Sequence, residues 1–284
     1  MRDVLLYIND NGDSLVLSTS NLYVVETITG ANGNTVDVST AQGVGQVGAT
    51  VQSQVVQPVS MTITGQILSG FRAEVYALAE RMQEVILPGV SARLYHNGTY
   101  YRIVVPTATP VIETVKRWPH FQFTLLAAYP YWMRDLATKT ILTGVIPRFK
   151  FPWNISQSYR FGEIIETAFI NITNEGQIPC PFTVVFAASG PATNPRIVNV
   201  ITGEVMQLNR VMTAGERVTV EVTHDLTYVT STIDGDIRGD LDIGNDLWRM
   251  AVGDNLIKPE ADSGGSNVIV SIDRSIEKVG IVIC

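Results

Sequence analysis

The sequence predicts a mainly β protein of two domains, and three observations carry that expectation. Apolar residues recur with a period of two along most of the chain, as in strands that bury one face. Only residues 71–86 show the period of a helix. A stretch rich in proline and aromatic residues, 129–152, separates halves of unlike charge. Residues 1–154 hold 11 Lys/Arg against 10 Asp/Glu, and residues 155–284 hold 9 against 17.

The elements follow in order. Residues 22–28 are β-rich. Val51, Ser53 and Val55, then Val59, Met61 and Ile63, place mostly apolar side chains on one face of a strand. Between these stretches, residues 30–48 are rich in Gly, Thr, Asn and Gln, with Asp37 the single charge. A polar segment of that length reads as a loop, mobile or ordered by a partner. In 71–86, Val75, Leu78, Ala79, Met82, Val85 and Ile86 form an apolar stripe, with Arg72, Glu74, Glu80, Arg81 and Glu84 largely between them. Pro88-Gly89 stops this helix, whose stripe is expected to pack on a sheet of its own domain. Residues 93–96 and 99–103 flank Asn97-Gly98, a pair that supplies the positive φ angles of a type I′ hairpin turn. Further β-rich stretches lie at 120–127, 166–172, 182–187, 196–201, 267–272 and 280–283. Val218, Val220 and Val222 alternate with Arg217, Thr219 and Glu221, and Thr202-Gly203 and Gly253-Asp254 sit where turns are needed.

Composition narrows the function. The 284 residues are 45% hydrophobic and 17% charged, with a net charge of −7, which excludes a disordered chain. There is no basic footprint for nucleic acid. The low charge implies that partners cover some of the surface. Cys180 and Cys284 form no CxxC pair and read as two buried thiols, with a single disulfide as the alternative. The apolar stretch 4–8 is shorter than the ~7–15 residues of a signal peptide. No run approaches the ~18 residues of a membrane span. A reducing cytosol and no membrane insertion are therefore expected, and the sequons at Asn97, Asn154 and Asn171 read as chance.

The catalytic motifs fail on physical grounds. Gly43, Gly45 and Gly48 match GxGxxG, but a strand-like run follows where a dinucleotide site needs a helix N-terminus, and no acidic residue stands about 20 positions on. Asp234, Asp236, Asp240, Asp242 and Asp246 miss the calcium-loop spacing and read as a solvated loop. Arg238-Gly239-Asp240 reads as noise. His96, His120 and His224 accompany no nucleophile elbow or metalloprotease pair. Glu163 and Glu166, three apart on an expected strand, point to opposite faces. No catalytic, cofactor or metal residue is expected.

The second half carries Asn174-Glu175-Gly176, Pro179, Pro181, Gly190, Asn194-Pro195, Thr202-Gly203-Glu204, Leu208, Gly215 and Gly253-Asp254-Asn255. The first half ends in Tyr129-Pro130-Tyr131-Trp132, followed by Phe149-Lys150-Phe151-Pro152. In this order and spacing the chain resembles the distal tail proteins, the Dit family, of long-tailed bacteriophages with non-contractile tails (siphophages) and their prophages. The helix ending near Pro88, the hairpin and the seam fit that family's N-terminal half, so the resemblance covers nearly the whole chain. Residues 30–48 are longer and less charged than the family's loop. The acidic loop 234–246 has no family role, and there is no room for an inserted carbohydrate-binding domain.

The resemblance implies an N-terminal ring-forming domain, 1–136, built as a β-barrel or sandwich with one α-helix. It implies a C-terminal galectin-like β-sandwich, 137–284, that projects outward. It further implies a homo-hexamer at the virion tail tip, synthesised and assembled in the host bacterial cytoplasm. Such a ring joins the tail tube protein to a tail-tip or tail-associated lysin-type protein, and its outer domains carry receptor-binding proteins. A central channel passes DNA without sequence-specific binding. The alternative is a host-surface carbohydrate-binding or adhesion module, yet the apolar neighbours of Trp248 favour burial over a sugar platform. On the hub reading, the nearly neutral first half assembles and the acidic second half faces solvent or an attached partner.

Overall fold

The computed structural model describes residues 4–113, 118–134, 140–142, 144–147, 162–165, 169–224, 226–242 and 248–281. Contacts divide the chain into two compact units, Met1–Leu136 with Glu277–Cys284, and Ala137–Ile276. Residues 277–284, expected in the second domain, thus group with the first.

In the first unit, apolar alternation builds β1 (Val4–Asn9), β2 (Ser14–Ser18), β3 (Tyr23–Thr29), β4 (Val36–Ala41), β5 (Thr50–Val56) and β6 (Val59–Ile67). Helix α1 (Arg72–Val85) follows, then β7 (Ala92–His96), β8 (Tyr100–Pro106), β9 (Val111–Glu113), β10 (His120–Ala127) and β11 (Trp132–Arg134). Strand pairing runs β8-β7-β1-β2-β3-β6-β10, and β10 pairs again with β8, which closes a seven-stranded barrel. The closure is short: Leu125 faces Pro106 and Leu126 faces Val105. Further along that edge, Tyr100 and Tyr101 of β8 pair with β11, and His120, Phe121 and Gln122 of β10 pair with β9. Period-two alternation sends Val59, Met61, Ile63, Phe121, Phe123 and Leu125 into one core with Leu5, Tyr7 and Leu94.

The helix appears where its stripe predicts. Ala79, Met82, Val85 and Ile86 join the barrel core, each side chain larger than Ala contributing about 1.5–3 kcal/mol of burial. Two hydrogen bonds fix it: Asn9 Nδ2 donates to the Val85 carbonyl at 3.1 Å, and Tyr23 Oη donates to the Leu78 carbonyl at 2.9 Å.

The second unit comprises β12 (Thr140–Ile141), β13 (Gly144–Pro147), β14 (Gly162–Ile165), β15 (Ile170–Asn174), β16 (Phe182–Ala188), β17 (Ala192–Thr193) and β18 (Arg196–Asn199). Then come β19 (Val205–Gln207), β20 (Val211–Met212), β21 (Arg217–Val222), β22 (Thr227–Ser231), β23 (Gly235–Asp236), β24 (Gly253–Glu260) and β25 (Val268–Arg274). A six-stranded sheet, β12-β25-β16-β21-β22-β23, and a four-stranded sheet, β15-β24-β18-β19, make a sandwich. Val184, Phe186, Val220 and Ile272 of the first share one core with Ile172, Ile197, Met206 and Ile257 of the second. Asn174 and Asn255, both in the resemblance motif, are buried staples. The Asn174 amide donates to the carbonyls of Ile178 and Met250, and the Asn255 amide to those of Ile172, Ala251 and Gly253.

After β25 the chain returns to the first unit as β26 (Glu277–Lys278), which pairs with β11. Of the β-rich stretch expected at 280–283, residues 280–281 lie outside this strand. A strand this short is ended by its pairing partner, which local pattern does not reveal. Residues 282–284, the Phe149–Pro152 motif, Asn154, Glu166, Asp225, Asp246 and Cys284 lie outside the described residues.

At the β7–β8 turn, Asn97 has φ 50° and Gly98 φ 64°, as a type I′ turn requires. Gly98 has open space around a would-be Cβ, so a substitution there meets backbone strain alone. Gly98→Val should cost about 1–3 kcal/mol and Thr99→Val little, a difference visible as separate thermal midpoints.

Candidate assembly interface

Between β3 and β6 the chain leaves the barrel. The segment expected as a loop is instead the first strand and turn of an antiparallel ribbon, β4–β5, which pairs with no other strand among the described residues. Val36 faces Val56, Val38 faces Gln54 and Ser39 faces Ser53. The register then slips by one residue, so that Thr40 faces Val51. A bulge of this kind reverses alternation. Val51 consequently shares a face with Val36, Val38 and Val56, and not with Ser53 and Val55 as uninterrupted alternation predicts. Every residue of β5 is exposed, as is every residue of β4 except the half-buried Ala41. A lone two-stranded hairpin is marginally stable in water, so this arm is a structure that gains from being covered.

Gln46 organises the tip. Its side-chain oxygen accepts from the Gly43 amide at 2.9 Å, its side-chain nitrogen donates to Thr50 Oγ1 at 3.0 Å, and its carbonyl accepts from Gln42 Nε2 at 3.1 Å. Val44 and Val47 are left fully exposed. The GxGxxG run is thus a ribbon turn followed by a strand, with no helix N-terminus to receive a phosphate.

The other sequence candidates are dispersed. His96 is buried with its ring edge-on to Trp132. His120 lies 3.4 Å from Glu26 in an open cleft of about 360 Å³, lined also by Thr64, Glu113 and Phe121. The His224 carbonyl accepts from Arg249. Glu163 stands on β14 without Glu166 among the described residues. Among the described residues no three His, Cys, Asp or Glu side chains converge as a metal site, and no helix is long and apolar enough to cross a membrane. Cys180 is buried. Trp248 is buried against Phe182, ring centroids 4.8 Å apart, which removes it as a sugar platform. The exposed aromatics described in this unit are Phe169 and Tyr228.

Two carboxylates of the acidic loop, Asp234 and Asp240, pair with one arginine, while Asp236 stays exposed. Arg210 Nη2 lies 2.6 Å from Asp234 and 2.8 Å from Glu216, and Nη1 lies 2.8 Å from Asp240. Glu216 is almost completely buried and also accepts from Ser231 Oγ and the Thr213 amide. The hydrogen bond with Asp234 leads the factors that raise the Arg210 pKa, against a smaller effect of burial. Arg238–Asp240 is a 3₁₀ turn that presents Asp240 to Arg210. Neither Arg210 nor Glu216 stood out in the sequence, because their partners arrive from distant strands. A second cluster joins Arg196 to Glu260 at 3.2 Å and Asp262 at 2.6 Å. Hydrogen bonds from Lys258 and then Arg196 hold the Glu260 carboxyl below its ordinary range, and those from Asn194 and then Arg196 do the same for Asp262.

Residues 175–272 match the family described as siphovirus-type tail component, C-terminal domain. The fold resembles that of phage SPP1 Dit (gp 19.1), described as a paradigm of the hub adsorption apparatus in phages infecting Gram-positive bacteria. The TM-score is 0.70 at 10% identity, over 96% of this chain and 99% of that one. It also resembles a chain of the phage P2 baseplate in its activated conformation with calcium, with a TM-score of 0.54 at 12% identity, over 99% of this chain and 100% of that one. No curated protein sequence matches.

Two outcomes follow from the charge clusters. Arg210→Met strands the buried Glu216 charge and should cost about 2–4 kcal/mol in urea unfolding, with part recovered in Arg210→Met/Glu216→Gln. For Asp262 and Glu260 the folded pKa lies below the unfolded one. Their stabilisation is therefore present above the ordinary carboxylate range near pH 4 and lost as pH falls through the folded values. The stability gap between wild type and Arg196→Met should accordingly be larger at about pH 7 than at about pH 2, as read by urea midpoints.

Proposed function

We propose that this chain, a siphovirus-type tail component by its C-terminal domain, works as a homo-hexameric ring at the hub of the tail tip. The observation that carries the reading is the β4–β5 arm, with its valine face, its two edges unpaired among the described residues and a single charge, Asp37, across residues 30–57. Closed rings are built from heterologous contacts, in which one patch of a subunit meets a different patch of the next. An arm leaving a closed barrel supplies one side of such a contact. The tail tube protein binds one side of the ring, and the tail-tip or lysin-type protein the other. The acidic second unit carries receptor-binding proteins. The mechanism is mechanical: the ring holds these parts in register and leaves a central channel for DNA, which it contacts without reading sequence.

Light scattering with negative-stain microscopy over a concentration series tests the reading, and six-membered rings are expected. Monomers alone at high concentration, with tail partners added, would overturn it. Val38→Asp combined with Val51→Asp places two charges on the valine face. This variant should lose rings at least about tenfold in concentration while its melting temperature stays within about 2 °C, as for surface substitutions. Unchanged ring formation would remove the arm from the interface.

A further inference from the structure

The root of the arm is held by two parts of the chain that are far from it in sequence. Ala31 is almost completely buried, and its carbonyl accepts the indole hydrogen of Trp132 at 3.3 Å. Trp132 is itself fully buried on β11. Arg102 lies 4.5 Å from its ring centroid and donates to the neighbouring Pro130 carbonyl at 2.6 Å. The second holder is the segment after β26. A Cβ on Gly280 would stand 2.5 Å from the Asn32 carbonyl oxygen and 3.1 Å from its carbon. Only glycine lets these two backbones approach so closely. The next residue, Ile281, packs against the barrel core.

The returning segment is well seated. Lys278 pairs with Trp132 and Glu277 with Met133. The Glu277 side chain is fully buried and accepts from Tyr129 Oη at 2.7 Å, and Lys278 Nζ lies 4.6 Å from the Tyr100 ring centroid. In the chain, however, residues 277–281 come after the whole second unit. That unit begins at β12 and ends at β25, and these two strands pair, Thr140 with Ile272. Its entry and exit are therefore adjacent once it folds. Folding the second unit shortens a long, costly loop closure to a few residues.

We propose that Trp132 and the returning segment 277–281 form a clamp that aims the arm, and that the clamp closes only after the second unit has folded. The arm becomes competent for assembly last, so chains with an unmade or misfolded second unit are kept out of the ring. The ring itself rests on the function proposed above, whereas the clamp rests on contacts within one chain.

Hydrogen exchange separates the two. In a chain stopped after Ile276, and independently in full-length Gly280→Val, amides of residues 31–41 and 50–57 should exchange at least about tenfold faster than in wild type. Amides of β1, β6 and β10 should stay protected, which shows that the barrel remains folded. In both variants the ring fraction seen by negative stain should fall several-fold at equal concentration. Arm exchange unchanged in Gly280→Val, with β1, β6 and β10 protected, would overturn the clamp. Faster arm exchange with undiminished rings would overturn its role in assembly. If wild type forms no rings, the hexamer reading fails and exchange alone decides the clamp.

Discussion

Arg102 sits completely buried in the barrel, and its partners are a carbonyl, a thioether and an indole face, none of them charged. Burial pulls its pKa down to about 10, so it stays cationic at neutral pH. Removing an ion from water is expensive, and a desolvated cation over a tryptophan face recovers only about 2 kcal/mol or more of that cost. Such a group is tolerated only where the surrounding structure is fixed. Here it is fixed on every side: β8 supplies the arginine, β6 supplies Met61, and the chain entering β11 supplies Pro130 and Trp132. The position of Trp132 then decides where the Ala31 carbonyl lies, and with it the base of the arm. One buried cation thus connects barrel closure to the protruding ribbon.

The barrel explains why the ribbon matters. Closing seven strands on themselves leaves no continuous free edge around the barrel wall. The short β9 and the β11–β26 pair cover part of what the two-residue β8–β10 closure leaves over. Long unpaired edges are a hazard for a soluble protein. Among the described residues, this unit keeps its longest ones on β4 and β5.

What could be read from sequence divides along the range of the interactions. Helix α1 and the Asn97-Gly98 hairpin were legible because a stripe or a turn is written within a few neighbouring residues. The alternation of Val218, Val220 and Val222 was legible for the same reason. The arm was half legible. Its polar, nearly uncharged composition marked 30–48 as a loop, mobile or ordered by a partner, but with no buried face there was no core signal to reveal β4. The bulge that moves Val51 to the other face leaves no trace in composition. The Arg210 cluster was invisible, because Glu216, Asp234 and Asp240 meet the arginine only through the fold. The reassignment of 277–284 has the same origin: β26 is defined by pairing with β11, at the far side of the inserted unit.

The two faces of the arm differ in what docking would cost. Val36, Val38, Val51 and Val56 share one side with Thr40 and Gln54, while Asp37, Ser39, Ser53 and Val55 share the other. Burying the Asp37 carboxylate without a paired cation would cost several kcal/mol, whereas burying valines contributes about 25 cal/mol per Å². If the arm docks as proposed above, the favourable arrangement turns the valine side toward the partner and leaves the Asp37 side in water.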